Sequence, residues 1–265
     1  MPNAAPHGAP HAALEALLAP VRDRLDRALF AFDFDGTLAS IVARPEDARP
    51  VAGALDVLSA LSARAAGVVI VTGRPAMTAV ELGGFDAVAR LAVLGHYGLQ
   101  RWQDGTLTTP EPDPGIAVVR AALQAICPSG GLVEDKDHSV VIHTRGTADP
   151  ERDLESLRGP VAALAAENGL EVVGGRLVWE VRPPGVDKAV ALRSMAAQVD
   201  PAAVFVAGDD LGDLPLFAAA AELGVPYVRI AVVSEGAAPE VAQTADAIVD
   251  GPDELVAILR SLLPV

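Results

Sequence analysis

The sequence predicts an α/β fold, with a Rossmann-like parallel sheet as its core and a smaller α+β module inserted into it. Short apolar runs rich in β-branched residues alternate with helical patterns, which is typical of a parallel sheet covered by helices on both faces. A turn-rich stretch interrupts this alternation near the middle of the chain. Ligands of such sheets gather at the carboxyl ends of the strands, so functional residues are expected there.

The core elements follow in chain order. Residues 1–10 are rich in Pro, Ala and Gly and are expected to be disordered. Residues 11–28 favour a helix that Pro20 could interrupt. The strand-like runs are 29–34, 67–72, 91–95, 203–208 and 227–232, and helical patterns occupy 51–65, 75–82 and 211–222. These elements assign 11–109 and 185–265 to the core.

The segment 110–184 is predicted to be a separate α+β module. It follows the turn-rich linker and ends at Pro183-Pro184-Gly185. Because Gly174 and Gly175 stand between its last two apolar runs, they predict a tight hairpin turn. The predicted elements are helices at 115–126 and 149–168 and strands at 131–135, 139–144, 170–173 and 176–181.

Composition excludes some classes of partner. The formal net charge of −15 over 265 residues argues against binding to nucleic acid or to an anionic membrane, since both require a basic surface. The N-terminus does not resemble a signal peptide, and no apolar run approaches the length needed to cross a bilayer. We therefore expect a cytoplasmic protein.

Two carboxylates follow the first predicted strand. Asp33 and Asp35 come directly after the apolar run and before Gly36, where the chain is expected to turn. Two acids held this close repel each other unless a cation or a shared proton intervenes. Oxygen ligands favour Mg²⁺, although an acidic turn after a strand is the simpler interpretation.

The second strand ends in a hydroxyl at Thr72, followed by Gly73 and Arg74. A helix is predicted to begin at Pro75, and the N–H groups at its start could hold a phosphate together with the Thr72 hydroxyl. Ordinary turn chemistry with a Pro at the helix start explains the same residues.

The strand at 203–208 repeats the pattern of an acid at a strand end, with Asp209, Asp210 and Asp213. Asp213 lies one helical turn beyond Asp209, so both can face one site if a helix begins there. Capping of that helix is the alternative, but three acids exceed what a cap requires.

Lys188 opens the helix that follows the inserted module. The helix dipole disfavours a cation at that position, and most such lysines are simply solvated. A lysine that neutralises a phosphoryl group would explain the exception.

The inserted module carries Glu134 and Lys136, which alternate along a predicted strand, and Glu180 in a later strand. Such a sheet face is either an ordinary polar face exposed to solvent or a surface that binds a polyol. Carboxylates suit vicinal diols because each oxygen accepts hydrogen bonds, and a lysine complements them as a donor.

Taken together, these motifs resemble, in the same order, the four motifs of the haloacid dehalogenase-like (HAD) phosphatases. The insert resembles the C2-type cap domain of the sugar-phosphatase branch. Within that branch, the motifs of the insert resemble those of trehalose-6-phosphate phosphatases. The matching segments are Asp33–Thr37, Thr72–Arg74, Gly208–Asp213, Val133–Lys136, His143–Arg145, Glu180 and Gly185–Lys188.

Three positions depart from that pattern. Tyr97 stands where the family has a His, Gln100 stands where it has an acid, and Gly212 stands where it often has a Thr. These changes leave the phosphoryl-transfer residues in place. They bear on which sugar phosphate is the substrate.

The resemblance implies a Mg²⁺-dependent phosphatase that converts trehalose 6-phosphate to trehalose and phosphate. Asp33 would be the nucleophile, Asp35 the general acid and base, and Thr72 and Lys188 would hold the phosphoryl group. The metal ligands would be Asp33, the Asp35 carbonyl, Asp209 and Asp213. The substrate-binding residues would be Arg74, Glu134, Lys136, Arg145 and Glu180. A monomer is expected, with a trehalose-6-phosphate synthase as its pathway partner.

Two alternatives remain open. The substrate could be another sugar phosphate, such as sucrose 6-phosphate or mannosyl-3-phosphoglycerate. The chain could instead be a non-catalytic phospho-acceptor, because receiver domains also place an Asp at the ends of parallel strands. Asp35 as acid and base, together with an insert of this size, favours an enzyme.

Overall fold

The structure is a computed structural model that describes residues 11–234 and 238–264. The expected disorder of residues 1–10 lies outside this range. The first half of the chain forms α1 (His11–Arg22), β1 (Ala28–Phe32), α2 (Ala54–Ser62), β2 (Gly67–Val71), α3 (Ala76–Gly83), β3 (Ala92–Gly95), β4 (Gln100–Gln103), β5 (Thr106–Thr108), α4 (Pro114–Ile126) and β6 (Leu132–Asp135). No helix among the described residues is long and apolar enough to span a bilayer.

The second half continues this mixture of helices and strands. It forms β7 (Val140–His143), α5 (Pro150–Glu167), β8 (Glu171–Gly175), β9 (Val178–Arg182), α6 (Lys188–Val199), β10 (Ala203–Gly208), α7 (Leu214–Glu222), β11 (Tyr227–Val233), α8 (Pro239–Thr244), β12 (Ala247–Asp250) and α9 (Gly251–Ser261). The chain divides into two compact units. The core unit is formed by residues up to Thr108 and from Asp187 onward, and the inserted unit is Thr109–Val186.

The core unit is built on a sheet with the strand order β12-β11-β10-β1-β2-β3-β4-β5. Its strands run parallel from β12 to β3, and the last two are antiparallel. Phe32 of β1 lies beside Ala207 of β10 and Ile70 of β2, so these three strands end at nearly the same level. The residues that follow them are therefore neighbours, and the predicted α/β fold is confirmed.

The side chains of β1 and β10 alternate between two apolar layers. Phe30, Phe32 and Phe205 pack in one layer, where their ring centroids lie 5.5–6.2 Å apart. Leu29 and Ala31 point into the other layer, which α6 and α7 cover. This two-sided burial explains why the strands read as continuous apolar runs.

The inserted unit is an antiparallel sheet of order β6-β7-β9-β8 with helices on one face. Val140, Ile142 and Val181 face α4 and α5 and form its apolar core. The strand register places Glu134 and Glu180 on the opposite face. Successive side chains of a strand point to opposite faces, so the apolar residues face the helices and the carboxylates lie on the other face of the sheet.

Two element predictions were wrong. Gly174 and Gly175 belong to β8, and the hairpin turn is made by Arg176 and Leu177, whose φ of +61° is left-handed. The glycines are needed for space, since a Cβ at Gly174 would press against the ring of Trp179 on the paired strand.

The other wrong prediction concerns the helix at 11–28. It contains Pro20 but ends at Arg22, and Ala28 begins β1 because it pairs with Ala203 in the sheet. Strands β4, β5 and β12 and helices α8 and α9 were not among the predicted elements.

Candidate active site

Asp33 is the first residue after β1 and is almost fully buried, with 6 % of its surface exposed. Its N–H donates to the carbonyl oxygen of Ala207 at 3.1 Å, which extends the pairing with β10 by one residue. Burial raises the pKa of Asp33 well above its ordinary value, whereas the nearby ammonium of Lys188 acts in the opposite direction. A carboxylate held here therefore depends on its cation.

That cation is Lys188, the first residue of α6, which is 3 % exposed. Its Nζ lies 2.8 Å from Asp33 Oδ1 and 2.6 Å from Asp213 Oδ1. Burial lowers the pKa of Lys188, but the attraction of Asp213 and Asp33 outweighs it and leaves this pKa well above its ordinary value. Lys188 is thus a buried cation paired with two carboxylates, not the solvated lysine of the simpler interpretation.

Asp213 is fully buried and organises the segment after β10. Its Oδ2 accepts the backbone N–H groups of Asp209 at 2.9 Å and Asp210 at 3.2 Å. The Asp210 carboxylate accepts the N–H of Gly212 at 2.8 Å and caps the turn. Asp210 and Asp213 therefore form a reciprocal capping box, and the second oxygen of Asp213 contacts Lys188.

Asp209 completes an acidic cluster with Asp33 and Asp213, in which one ligand oxygen from each residue lies within 4.8 Å of the others. Burial and the neighbouring charges of Asp213 and Asp210 raise the pKa of Asp209 to about 7. The Thr37 hydroxyl donates to its Oδ1 at 3.1 Å.

Two glycines leave space for the carboxylates of this cluster. Gly36 has a φ of +79°, and a Cβ there would overlap the Asp209 carboxylate. A Cβ at Gly208 would likewise overlap the carboxylate of Asp213. Buried carboxylate oxygens converging on one point, with one lysine among them, fit a hard divalent cation such as Mg²⁺.

The Asp35 carboxylate is held by Arg74. Nε and Nη2 of the guanidinium donate to Oδ2 at 2.6 Å and to Oδ1 at 2.7 Å, and Nη2 also donates to the carbonyl of Pro45 at 2.9 Å. Paired bonds of this kind are the strong form of the Arg–carboxylate contact. Arg74, predicted to bind substrate, lies instead on the residue predicted to be the acid and base.

Thr72 follows β2 and is 1 % exposed. Its N–H donates to the Leu94 carbonyl at 3.0 Å, and its hydroxyl accepts the N–H of Arg74 at 3.2 Å. Strand order places it on the other side of Asp33 from Asp209. Thr72, Asp33 and Asp209 thus follow three adjacent strands.

Gln100 and Tyr97, two of the residues that depart from the family pattern, form contacts that explain their presence. The side chain of Gln100 accepts the N–H of Ala76 at 2.8 Å, so the first N–H of α3 is already bonded within the protein. Tyr97 has a φ of +57° and donates its N–H to the Thr72 carbonyl at 2.9 Å. Its ring leaves no room for a side chain at Gly73.

On the open face of the inserted sheet, Glu134 Oε2 lies 2.9 Å from Nε2 of His143. Glu180 is buried, accepts the Ser139 hydroxyl at 2.7 Å and lies 4.0 Å from the Lys136 ammonium. Lys136 stands just beyond the end of β6, not on the strand as predicted.

Three residues that contact the candidate side chains were not among the predicted site residues. His143 and Ser139 were omitted, although both follow the period of two set by Val141 on β7. Arg145 is exposed beyond the end of β7, and among the described residues its guanidinium forms no ion pair with a carboxylate. Thr37 was omitted because nothing in its local sequence links it to Asp209.

The core unit thus has a mostly parallel sheet with an acidic cluster after adjacent strands, and an α+β unit is inserted into its chain. A haloacid dehalogenase-like hydrolase from Bacteroides thetaiotaomicron shares this fold, with a TM-score of 0.63 and 15% identity over 89% of this chain and 99% of its own. The model of the trehalose-phosphatase family matches residues 31–250, and the chain belongs to this family.

Relatives agree with this assignment. A trehalose-phosphate phosphatase of Mycobacterium marinum is 32% identical over 229 residues, covering 80% of this chain and 56% of that protein. An uncharacterized glycosyl hydrolase of Mycobacterium tuberculosis is 34% identical over 214 residues, which cover 74% of this chain but 15% of that protein. This chain thus spans about half or less of the length of these relatives.

A solved structure of similar extent supports the same family. The trehalose-6-phosphate phosphatase of Aspergillus fumigatus is 25% identical to this chain and has a TM-score of 0.67. The match covers 92% of this chain and 96% of that one. The resemblance inferred from the sequence motifs is confirmed at the level of the family.

Proposed function

We propose that the protein is a Mg²⁺-dependent phosphatase that hydrolyses trehalose 6-phosphate to trehalose and phosphate. The observation that carries this proposal is the buried cluster in which Asp33 lies 2.8 Å from Lys188, beside Asp209 and Asp213, in a chain of the trehalose-phosphatase family. A nucleophile beside a fixed cation, with oxygen ligands for a metal, is what phosphoryl transfer requires.

In the first step, an Asp33 oxygen attacks phosphorus while the bond between phosphorus and the sugar oxygen breaks. Asp35 gives its proton to the departing oxygen, so that trehalose leaves as a neutral alcohol and Asp33 carries the phosphoryl group. Both Asp35 oxygens accept hydrogen bonds from Arg74 in the structure, so this contact must open before Asp35 can donate a proton.

In the second step, water attacks the phosphorus of the aspartyl-phosphate and the bond to Asp33 breaks. The Asp35 carboxylate takes the proton from that water and is restored to its acid form. The contact with Arg74 engages both Asp35 oxygens as acceptors, so Asp35 must be released from it to accept the proton of water.

The remaining residues of the core site would bind the phosphoryl group and the metal ion. Lys188 would attract the phosphoryl oxygens, and the Thr72 hydroxyl would donate to one of them. Asp33, the carbonyl of Asp35, Asp209 and Asp213 would hold Mg²⁺. When bound, the ion offsets the repulsion between carboxylate and phosphate and stabilises the negative charge of the transition state.

Sugar recognition is assigned to the inserted unit. Glu134, oriented by His143, and Glu180, oriented by Ser139, are carboxylates with fixed geometry on one sheet face. With Lys136 as donor, they suit the hydroxyls of a distal sugar. Arg145 as a substrate ligand remains a prediction, and so do the cytoplasmic location, the monomeric state and a synthase as pathway partner.

The test is phosphate release from trehalose 6-phosphate, glucose 6-phosphate and sucrose 6-phosphate, each with Mg²⁺ and with EDTA. We expect a Mg²⁺-dependent preference for trehalose 6-phosphate. Preference for another sugar phosphate would retain the chemistry and contradict the substrate. No release from any of the three would contradict the phosphatase proposal itself.

Variants locate the activity in the site. Asp33→Asn is expected to lower the rate at least about a hundredfold, given the roughly 10²–10⁴ that one catalytic group contributes. The matched control is Asp86→Asn, which changes an exposed Asp of the core unit and should leave the rate unchanged. A rate within tenfold of the unmodified protein for Asp33→Asn would overturn the assignment of the nucleophile.

A further inference from the structure

A cavity of about 180 Å³ lies in the core unit at the edge where the strands begin. Gly67, the first residue of β2, lines it, whereas Thr72 of the candidate site follows the other end of the same strand. Five residues of strand separate the two ends by roughly 17 Å. The cavity is therefore distinct from the acidic cluster. Its lining residues are Ser62, Ala66, Gly67, Val68, Arg90, Arg101, Gln103, Met195 and Val199.

The lining contains two arginines and no acid, in a chain with 35 acidic and 20 basic side chains. Among the described residues, neither the Arg90 nor the Arg101 guanidinium lies within 4.0 Å of a carboxylate oxygen. Arg193 and Arg229 of the core unit are paired with acids, whereas Arg24, Arg49 and Arg64 donate to backbone carbonyl oxygens. Two like charges that share one cavity repel each other, so an anion between them would be stabilising.

Both side chains are oriented by neutral acceptors. Arg101 donates to Gln198 at 2.5 Å and to Gln103 at 2.6 Å. Arg90 donates from its guanidinium to the Ala65 carbonyl at 3.2 Å. Such bonds orient the guanidinium groups without pairing them with a carboxylate, although Asp104 Oδ1 accepts the backbone N–H of the exposed Arg90 at 2.9 Å.

We propose that this cavity is a binding site for a small tetrahedral oxyanion, with free inorganic phosphate as its ligand. Guanidinium groups match phosphate oxygens through paired N–H donors. The volume is below the roughly 300–1,000 Å³ of pockets that enclose larger ligands, which favours the free ion over the phosphate group of a sugar phosphate. The site is independent of the proposed catalytic function, since none of its residues belongs to that machinery.

The experiment titrates inorganic phosphate into the ¹⁵N-labelled protein in EDTA at low ionic strength, with glucose 6-phosphate in a parallel titration. EDTA removes the divalent metal that the candidate active site needs, so phosphate binding there is disfavoured. We expect saturable shifts of the Gly67 and Gln103 amide signals with phosphate. This measurement uses the unmodified protein and does not depend on how any variant folds.

Calorimetry of variants then assigns the contacts. Arg90→Gln and Arg101→Gln should each weaken phosphate binding at least about tenfold, a loss typical of a bond between charged groups. Arg101→Lys, which keeps the charge, should bind more tightly than Arg101→Gln. Arg193→Gln controls for the loss of one positive charge, and Thr72→Val controls for binding at the candidate active site. Both should bind like the unmodified protein.

Three results would overturn the proposal. The first is the absence of saturable shifts at Gly67 and Gln103. The second is phosphate binding that Thr72→Val removes and Arg101→Gln leaves intact, since this would place the ion at the catalytic site. The third is tighter binding of glucose 6-phosphate than of phosphate, because the proposed ligand is the free ion.

Discussion

Replacing Lys188 by Met tests the electrostatics of the buried cluster. The substitution removes a cation that lies 2.8 Å from Asp33 and 2.6 Å from Asp213, at a position that is 3 % exposed. Removing one partner of a buried ion pair typically costs about 3–5 kcal/mol, because the other charge stays buried without compensation. A domain is stable by only about 5–15 kcal/mol, so a loss of this size is readily measured.

The assay is urea unfolding followed by circular dichroism in EDTA. We expect Lys188→Met to lower the free energy of unfolding by about 3 kcal/mol or more above pH 7. The loss should shrink as the pH falls. Burial already raises the pKa of Asp33, so without its lysine this carboxyl takes up a proton instead of remaining charged.

The matched control is Arg193→Met on the same helix. Arg193 is exposed and lies 2.6 Å from Glu222, and a surface pair of this kind contributes at most about 1 kcal/mol. Equal losses for the two variants would refute the view that the Lys188 contacts neutralise buried charge.

The same substitution should separate metal binding from activity. Lys188 and a divalent cation compete for the same carboxylates, so Lys188→Met is expected to bind Mg²⁺ more tightly in calorimetry. Phosphate release should nevertheless fall at least about a hundredfold, as expected for loss of a group that stabilises transition-state charge. Weaker Mg²⁺ binding by this variant would contradict the assignment of the metal to this cluster.

Two further predictions concern sugar recognition and pH. Glu134→Ala should raise KM for trehalose 6-phosphate at least about tenfold and leave hydrolysis of a small aryl phosphate nearly unchanged. Glu155→Ala on the exposed surface of α5 is its control, and equal effects on both substrates would contradict the role of Glu134. The pKa of Asp209 is raised from 3.8 to about 7 in the metal-free folded protein. Between these two values the folded protein holds a proton on Asp209 that the unfolded chain has released, so this group makes the free energy of unfolding fall as the pH rises toward 7. Bound Mg²⁺ favours the ionised carboxylate and should reverse the direction of this pH dependence. Unfolding of Asp209→Asn in EDTA should show a flatter pH profile, and an unchanged profile would contradict this.

Much of the candidate site was predictable because parallel strands deliver their ends to one edge of the sheet. Asp33, Thr72 and Asp209 each follow an apolar run, and the strand order makes these runs neighbours. Asp213 was predictable from its spacing to Asp209, but its second role, as partner of Asp210 in a capping box, was not. Lys188 was a candidate because the helix dipole disfavours a cation at the start of a helix. Its two carboxylate partners compensate for that unfavourable interaction.

The remaining features depend on contacts between distant segments. No local pattern joins Arg74 to Asp35, because their contact requires the fold of the loop between β1 and α2. The prediction of a turn at Gly174 and Gly175 was wrong for a similar reason. Gly174 leaves space for the ring of Trp179 on the paired strand, and turn propensities carry no information about that contact.

Asp33 is proposed to become phosphorylated during turnover, and chemical trapping tests this step most directly. The protein is mixed with trehalose 6-phosphate and Mg²⁺, quenched in acid during turnover, and treated with borohydride, which reduces an aspartyl-phosphate to homoserine. We predict homoserine at position 33 in the mapped peptides, and its absence when substrate is omitted. Continued phosphate release with unmodified Asp33, or with homoserine at position 209 instead, would contradict the account.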